Sequence, residues 1–598
     1  MGSLSRRFGT WTGLSHADRR FMIREGVESR PMASYSSRSG RICALTLISG
    51  TALLLMAMNC VLAISKTSIT TDELIHIPAG VYALTTGEYR MNAEHPPLAK
   101  MWSAIPLLFF LPHDQGPPEA TGNFSQRGAA FYGHFWNLHQ SDVFKIWFWS
   151  RTWMVAFTVG LGVLLFWTTR RWFGIIPATF STLIYTLEPT FLGHGRLVHT
   201  DVAASFMYLL FFVALYSYRN APGVLRASVL GLVTGLALIT KFSMVVLVPV
   251  LGTLFVALLW KHRTNSQTFR KIAAHLLLAG LLILLVIQSA YGFRNPPLGP
   301  DAIWIEGVSR YPTLVVQTIE TLSPIFPRDF LFGVYVVLMH NSGGHSSSLL
   351  GQYDHRGWWY YFPVAFMLKV PIAFLVLSVA GIFWSVWRLR HGDWAFLRPW
   401  IPLAIYGALA MSSGINIGIR HLLPAFPFLC ILAGVLMGRI YRAGKAGRIA
   451  TSSAIGFLAL EAFLVFPHYI SYVNQFKGGN ASWRYLSDSN VEWGDAVPEL
   501  VEYLKARNTN RVAGALLGGN MTLHFYGIEF TDLYGPPPNT RYVALGASFL
   551  NGSTVEYGDI ASGRGTEAER VNFFRTYRSR EPVAVFGNSI YLFENSLE

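Results

Sequence analysis

Three cysteines in a chain of 598 residues are too few for a disulfide framework. Cys43, Cys60 and Cys430 sit in or beside apolar runs and are too scattered for a metal cluster. Charge is scarce as well: only 14% of the residues are Asp, Glu, Lys or Arg, less than a water-soluble surface of this size carries. There is no Walker-type GxxxxGK[ST] loop and no clean metal-ligand spacing, so the sequence offers no support for a nucleotide hydrolase or a zinc enzyme. No internal repeat is apparent. Against these absences stand a hydrophobic content of 52% and a mean hydropathy of +0.35, more apolar surface than a soluble fold hides. The bilayer is the solvent this composition requires.

The apolar residues gather into about eleven runs near the roughly 20 residues needed to cross the hydrocarbon core. They cover 43–65, 147–169, 173–193, 200–218, 224–241, 243–260, 273–291, 362–387, 399–414, 420–438 and 449–467. The stretch 98–112 is shorter and proline-flanked and reads as an interfacial or re-entrant helix. Cations alternate between connections: Arg170 with Arg171, Lys261 to Lys271, Arg388 to Arg398 and Arg439 to Arg448 share a side with an arm carrying Arg6, Arg7, Arg19, Arg20, Arg24, Arg30, Arg38 and Arg41. Retention of Lys and Arg on the cytoplasmic side puts the N-terminus inside. Connections 66–146 and 292–361, and the tail after 468, then face outward. Topology and anionic headgroups account for the net charge of +15, so no nucleic-acid partner is expected.

The organisation expected is a disordered basic cytoplasmic arm (1–42), a membrane domain (43–467) whose first outward loop (66–146) holds the chemistry, and a small extracytoplasmic α/β domain (468–598). In the tail, a helix is expected at 495–506 and strands at 511–517, 541–546 and 582–586, with a turn at Gly587-Asn588.

Chemistry-bearing residues concentrate at outward turns. Asp72 and Glu73 follow the first run in TDELIHIPAG, where carboxylates near hydrocarbon imply a cavity or a partner. A helix N-cap explains them equally well on residue chemistry alone. Glu94-His95-Pro96-Pro97-Leu98-Ala99-Lys100 puts an acid, an imidazole and an amine around a proline break, or is simply a helix entry with a snorkelling lysine. Arg196, His199 and Asp201 lie at a second turn, Lys241 at a third, and Arg420 with His421 at a fourth. Four outward turns gathering charge between nearly uncharged helices suggest one polar cavity. Asp488, Asn490, Glu492, Trp493 and Asp495 in YLSDSNVEWGDAVPEL read as a capped loop leading into the tail helix.

An outward-facing transferase needs an activated substrate that arrives with the membrane, which a lipid-linked phosphosugar provides. A carboxylate then takes the acceptor hydroxyl's proton, and cations stabilise the departing lipid phosphate. These residues resemble the polyprenyl-phosphate-dependent membrane glycosyltransferases that include protein O-mannosyltransferases and lipid A aminoarabinose transferases. The similarity lies in the Asp72-Glu73 pair, the later His95-Pro96-Pro97-Leu98 and Lys100, the R-L-x-x-x-D of Arg196, Leu197 and Asp201, and Thr240-Lys241. Glu94 departs from the aspartate usual before the HPP of eukaryotic O-mannosyltransferases, and 292–361 is too short for their β-trefoil insertion.

The resemblance implies an all-α polytopic membrane bundle of C-type glycosyltransferase architecture with a small C-terminal α/β domain. Asp72 would be the catalytic base and Glu73 would hold acceptor or donor. His76, Glu94, His95 and Asp201 would bind sugar, while Lys100, Arg196, Lys241, Arg420 and His421 would bind the lipid phosphate. Expected partners are a polyprenyl-phosphate sugar donor, an acceptor protein, lipid or glycan, and membrane lipids. No cofactor is expected, and the chemistry does not require a divalent metal. The expected location is the bacterial plasma membrane. A flippase of lipid-linked sugar is the rival reading, which charges at the midplane would favour; few of the spans are broken in their interior except by Lys369 and Pro371.

Overall fold

The computed structural model describes residues 32–112, 124–297, 312–534, 539–555 and 567–595. The chain falls into two compact units, Met1–Ile48 and Ser49–Glu598. Of the first, the described part is the opening of helix Met32–Ile64, so the arm expected to lack structure up to residue 42 is already helical from Met32. Residues 1–31, with Arg6 to Arg30, lie outside the described residues.

The protein is mostly helical and multi-pass. All eleven apolar runs are helical, but among the described residues eight helices, not eleven, are long and apolar enough to cross a membrane. Ile175–Leu187 has 13 residues, while Val224–Leu238 and Leu397–Met411 have 15 each. At 1.5 Å per residue these reach only about 20 Å, short of the ~30 Å hydrocarbon core. Run 362–387 is two helices, Tyr361–Lys369 and Ile372–Arg390, because Pro371 supplies no N–H and disfavours helical geometry in the residue before it. The stretch 98–112 forms the short helix Pro97–Ala104 and a 3₁₀ turn, Ile105–Phe109.

Burial sorts the spans. The hydrophobic window of Ile419–Arg442 is 83% buried and that of Asp201–Asn220 72%, whereas Ser266–Ala290 is 17% buried. Large apolar side chains such as Leu277, Leu281, Phe383 and Phe463 face outward, as expected where lipid replaces water. The two most enclosed spans therefore begin with Asp201 and with Ile419-Arg420, which puts their charged ends at the centre of one end of the bundle.

The tail carries a five-stranded sheet in the order β4-β3-β5-β7-β6, with β3 Arg511–Ala515, β4 Glu529–Asp532, β5 Tyr542–Gly546, β6 Ala584–Phe586 and β7 Ile590–Glu594. A hairpin, β1 Ser347–Leu349 and β2 Gln352–Asp354, lies earlier in the chain. Strands β3, β4 and β5 are parallel; β7 runs antiparallel to β5 and β6. Gly587 and Asn588 both have φ of +53°, the left-handed pair that a tight β6–β7 turn requires. The expected tail helix is Val497–Lys505. Tail and bundle share one hydrophobic core, in which Ala515, Leu545 and Phe549 join side chains such as Phe426 and Tyr208.

Two short helices frame the site, Thr71–Thr85 and Pro97–Ala104. They approach closely at Gly80, where an added Cβ would lie 2.2 Å from the Lys100 carbonyl oxygen. A Gly80→Ala variant is expected to lose about 1–3 kcal/mol through overpacking, read as a lower melting temperature of the detergent-solubilised protein.

Candidate functional site

The capping role at the start of helix Thr71–Thr85 falls to Thr70 and Glu73. The Glu73 carboxylate accepts from the Thr70 N–H at 2.8 Å and the Thr70 hydroxyl at 2.9 Å. It also accepts from Arg151 Nε at 2.8 Å and from the Val198 N–H at 2.8 Å, and Arg151 Nη2 forms a second bond at 2.5 Å. Both side chains have zero exposure. Burial by itself would raise the Glu73 carboxyl, but the Arg151 charge and bonds, with the Val198 and Thr70 N–H groups, hold it below its ordinary value. This corrects the expectation that Glu73 holds acceptor or donor: its oxygens are filled and enclosed, and it positions the helix.

Asp72 is thereby released from capping. Its side chain keeps 26% exposure, with Oδ2 at 3.2 Å from Arg420 Nη1 and Oδ1 accepting from Trp493 Nε1 at 3.3 Å. Arg420 Nη1 also lies 3.5 Å from Asp201 Oδ2, and Asp201 Oδ1 is paired with Lys241 Nζ. Charges thus alternate along Asp72, Arg420, Asp201 and Lys241. Arg420 Nε donates to Ser489 Oγ at 3.0 Å, and the guanidinium stands 4.4 Å over the Trp493 ring. Arg420 Nη2 makes no hydrogen bond or ion pair among the described residues, and Lys241, with 12% side-chain exposure, is bonded to Asp201 alone. Both cations have donors to spare.

Of the other two expected phosphate cations, Lys100 has none to spare, and the one unpartnered donor of Arg196, its Nε, is buried. Lys100 is buried, and its Nζ donates to Asn92 O at 2.8 Å, Asn92 Oδ1 at 3.1 Å and His95 O at 2.7 Å. These bonds use its three N–H groups to fold the loop before Pro96, and burial brings its amine down to about 7. Arg196 has no exposure. It bonds Ala63 O, Thr67 Oγ1 and Pro467 O and lies 3.8 Å from Asp495 Oδ2, stapling the first span to the tail. Both are corrected from ligand cations to structural ones.

Asp201 is likewise corrected: 1% exposed, with its oxygens against Lys241, Arg420 and His199, it holds the cations and has no free side for a sugar. His76 is buried and bonded to Val198 O at 3.0 Å, and burial brings it down to about 4, so it is neutral and donates from Nδ1. His95 is half-buried with its ring 4.7 Å from that of His76. Burial, then the neighbouring His76, Lys100, Lys241 and Arg420, takes it well below the usual imidazole range. His421 Nε2 is buried without a protein partner, in a side chain whose charged neighbours are Lys241, Arg420 and Asp201. Glu94 is bonded to His340 Nδ1, and His340 Nε2 lies 3.2 Å from His345 Nδ1.

Sequence reasoning passes over Arg151, His340, His345 and Ser489, and takes Trp493 only as part of a capped loop. Arg151 had a signal, a lone cation inside an apolar run that demands a buried partner. The capped-loop reading of 488–495 is corrected as well: helix Val497–Lys505 starts later, and the loop lies across the charge cluster. Lys369, the charge that spoke for a flippase, donates to Ile470 O, Tyr472 O and Asn490 O at 2.5–2.7 Å and so ties bundle to tail. Among the described residues no group of three or more His, Cys, Asp or Glu side chains is placed to hold a metal ion.

Fold and site together define a multi-pass membrane protein with a charged cluster at one end of its bundle. Residues 118–293, less than a third of the chain but including Arg196, Asp201 and Lys241, match the family of dolichyl-phosphate-mannose-protein mannosyltransferases. That family consists of glycosyltransferases using lipid-phosphate sugar donors. Solved structures similar to the chain include ArnT from Cupriavidus metallidurans in the apo state, at 13% identity and TM-score 0.42, covering 93% of this chain and 98% of that one. The same protein bound to undecaprenyl phosphate matches at 13% identity and TM-score 0.43, covering 92% and 98%. The archaeal oligosaccharyltransferase AglB from Archaeoglobus fulgidus, with an inhibitory peptide and a dolichol-phosphate, matches at 11% identity and TM-score 0.45, covering 86% and 71%. No curated protein matches the chain.

Breaking the buried pair with Glu73→Gln should cost about 3–5 kcal/mol by leaving Arg151 uncompensated. Because the folded Glu73 pKa lies below the unfolded value of roughly 4.3, its contribution is complete above that pH and lost as pH falls through the folded value. Melting temperature should therefore fall on acidification below about pH 4 in the wild type and change less across that window in Glu73→Gln.

Proposed function

We propose that the protein transfers a glycosyl group from a polyprenyl-phosphate sugar to an acceptor hydroxyl of a protein, lipid or glycan on the outer side of the membrane, with Asp72 as general base. The observation that carries this reading is the contrast at the charge cluster: Asp72 is half-open while Glu73 is sealed, and Lys241 and Arg420 retain unused donors beside it. Asp72 takes the proton as the acceptor oxygen bonds to the anomeric carbon. The bond from that carbon to the phosphate oxygen breaks with inversion, and Lys241 and Arg420, aided by His421, stabilise the departing lipid phosphate. Glu94 and His95 are the remaining candidates to contact sugar, with neutral His76 behind His95.

An open groove of about 470 Å³ supports a lipid donor. Leu84, Leu98, Met101, Trp102, Leu236 and Ile239 help line it, and Ile239 is two residues from Lys241, so an apolar chain lying there would bring its phosphate to the cations. Asp72 and Asp201 are matched by Arg420 and Lys241, so the mechanism routes no step through a metal. The cation pattern supports a cytoplasmic N-terminus and an outward site, and the bacterial plasma-membrane location rests on the family resemblance alone.

Reconstituted protein supplied with undecaprenyl- and dolichyl-phosphate sugars should release lipid phosphate, and Asp72→Asn should slow release by about 100- to 10,000-fold. Turnover undiminished in Asp72→Asn would remove the base assignment, and donor translocation without transfer would replace the enzyme reading with a flippase. Lys241→Met should raise KM for the donor by about tenfold or more, and a chelator should leave the rate unchanged.

A further inference from the structure

The tail reaches the charge cluster through one strap, residues 488–495, and both ends of its grip are built. At the bundle end, the Thr71 N–H donates to Trp493 O at 3.1 Å and the Ser68 N–H to Asp495 O at 3.0 Å, so the chain entering the Asp72 helix is held by tail carbonyls. The Trp493 indole N–H donates to Asp72 at 3.3 Å, and its ring lies 4.4 Å under Arg420 and 5.7 Å from that of His199. Ser489 Oγ accepts from Arg420 Nε at 3.0 Å, and Asn490 Oδ1 accepts from the Ile419 N–H at 2.9 Å.

At the tail end the strap is seated by Glu492. In open α/β sheets the crevice beyond the carboxyl ends of the parallel strands, where the strand order reverses, is where ligands usually bind. Here the reversal falls at β3, which pairs with β4 on one side and β5 on the other. The N–H groups just beyond the ends of β3 and β5, those of Leu517 and Ser548, both donate to the Glu492 carboxylate at 3.0 Å. A Cβ on Gly546 would lie 1.9 Å from Glu492 Oε1, so the closing glycine leaves room for that carboxylate. The tail thus uses its ligand-binding edge to hold its own chain, and the next residue after the held one is Trp493.

We infer that Trp493 is a positioning residue of the transfer site: its indole N–H orients the Asp72 carboxylate and its ring fixes Arg420, which makes the tail a working part of the active site. The inference rests on Asp72 being the base. Besides Trp493, the groups facing Asp72 are Arg420 from span Ile419–Arg442, His76 on its own helix, His199 from the turn before Asp201 and Asp488 from the strap. Removing the indole donor leaves these in place and takes away one bond that orients the carboxylate.

The test uses the full chain with undecaprenyl- and dolichyl-phosphate sugars and compares Trp493→Phe, which keeps a ring under Arg420, with Trp493→Ala. In Trp493→Phe kcat should fall by about 3- to 10-fold with the KM for the donor and the melting temperature unchanged. Trp493→Ala should lower kcat/KM by about 10- to 100-fold. A Trp493→Phe kcat equal to that of wild type overturns the inference. Hydrogen exchange gives a readout independent of turnover: amides 68–74 should exchange faster in Trp493→Ala than in wild type or in Trp359→Ala, and wild-type exchange there overturns the strap's hold on the helix. Wild-type protein inactive with every donor defeats the transfer reading instead, and the exchange result still decides the strap.

Discussion

The Glu73–Arg151 pair is the constraint on which the rest of the site depends. Two fully buried charges are costly to desolvate, and the arrangement is tolerable because the carboxylate collects donors from Thr70 and Val198 as well as from Arg151. Those partners lie on three segments: the entry to helix Thr71–Thr85, the long helix Val143–Phe173 and the turn before Asp201. Successive residues on a helix are turned by about 100°. Pinning Glu73 inward therefore turns Asp72 toward Arg420 and Trp493. Neighbours in sequence and alike in chemistry, the two acids acquire opposite roles from their surroundings, one sealed for structure and one left half-open.

The alternation of Asp72, Arg420, Asp201 and Lys241 has a related logic. A cavity holding only cations would bind a phosphate tightly but would be costly to keep beside hydrocarbon, whereas one balanced by carboxylates is stable without a ligand. Asp201, enclosed and unable to leave, orients both cations. Asp72 shares Arg420 from the open side at 3.2 Å and is the contact that an incoming phosphate can replace. In the proposed reaction, competition for Arg420 would free the carboxylate as the donor arrives, linking phosphate binding to the availability of the proposed base.

The membrane class and the helical nature of the eleven apolar runs are legible from composition and run length, because transfer to lipid is governed by amounts of apolar surface that sequence displays directly. The number of full crossings is not, since Ile175–Leu187, Val224–Leu238 and Leu397–Met411 lie within apolar runs yet are short as helices. In the site, Asp72, Lys241 and Arg420 are found from their place at outward turns. The same rule also selects Lys100 and Arg196, which are buried and bonded to Asn92, His95, Ala63 and Pro467 carbonyls. Whether a cation's N–H groups are already used depends on backbone atoms distant in sequence, and residue type at a turn carries no information about that. Arg151 shows the converse: its isolation within an apolar run implies a buried carboxylate partner even before the partner is known.

The tail was the least legible part because its role depends on a loop and not on an element. Residues 488–495 have the composition of a helix cap, and caps and site walls draw on the same small polar residues. What separates them is the grip at either end, Lys369 on Asn490 O from the bundle and Glu492 in the crevice of the sheet. A loop held at both ends, with Asp488 at a left-handed φ of +52°, cannot relax to suit its own backbone and takes its shape from what it joins. Lys369 therefore counts against a transport route through the bundle: its charge is spent on three carbonyls that hold this loop in place, which is the demand of a fixed site and not of a moving path.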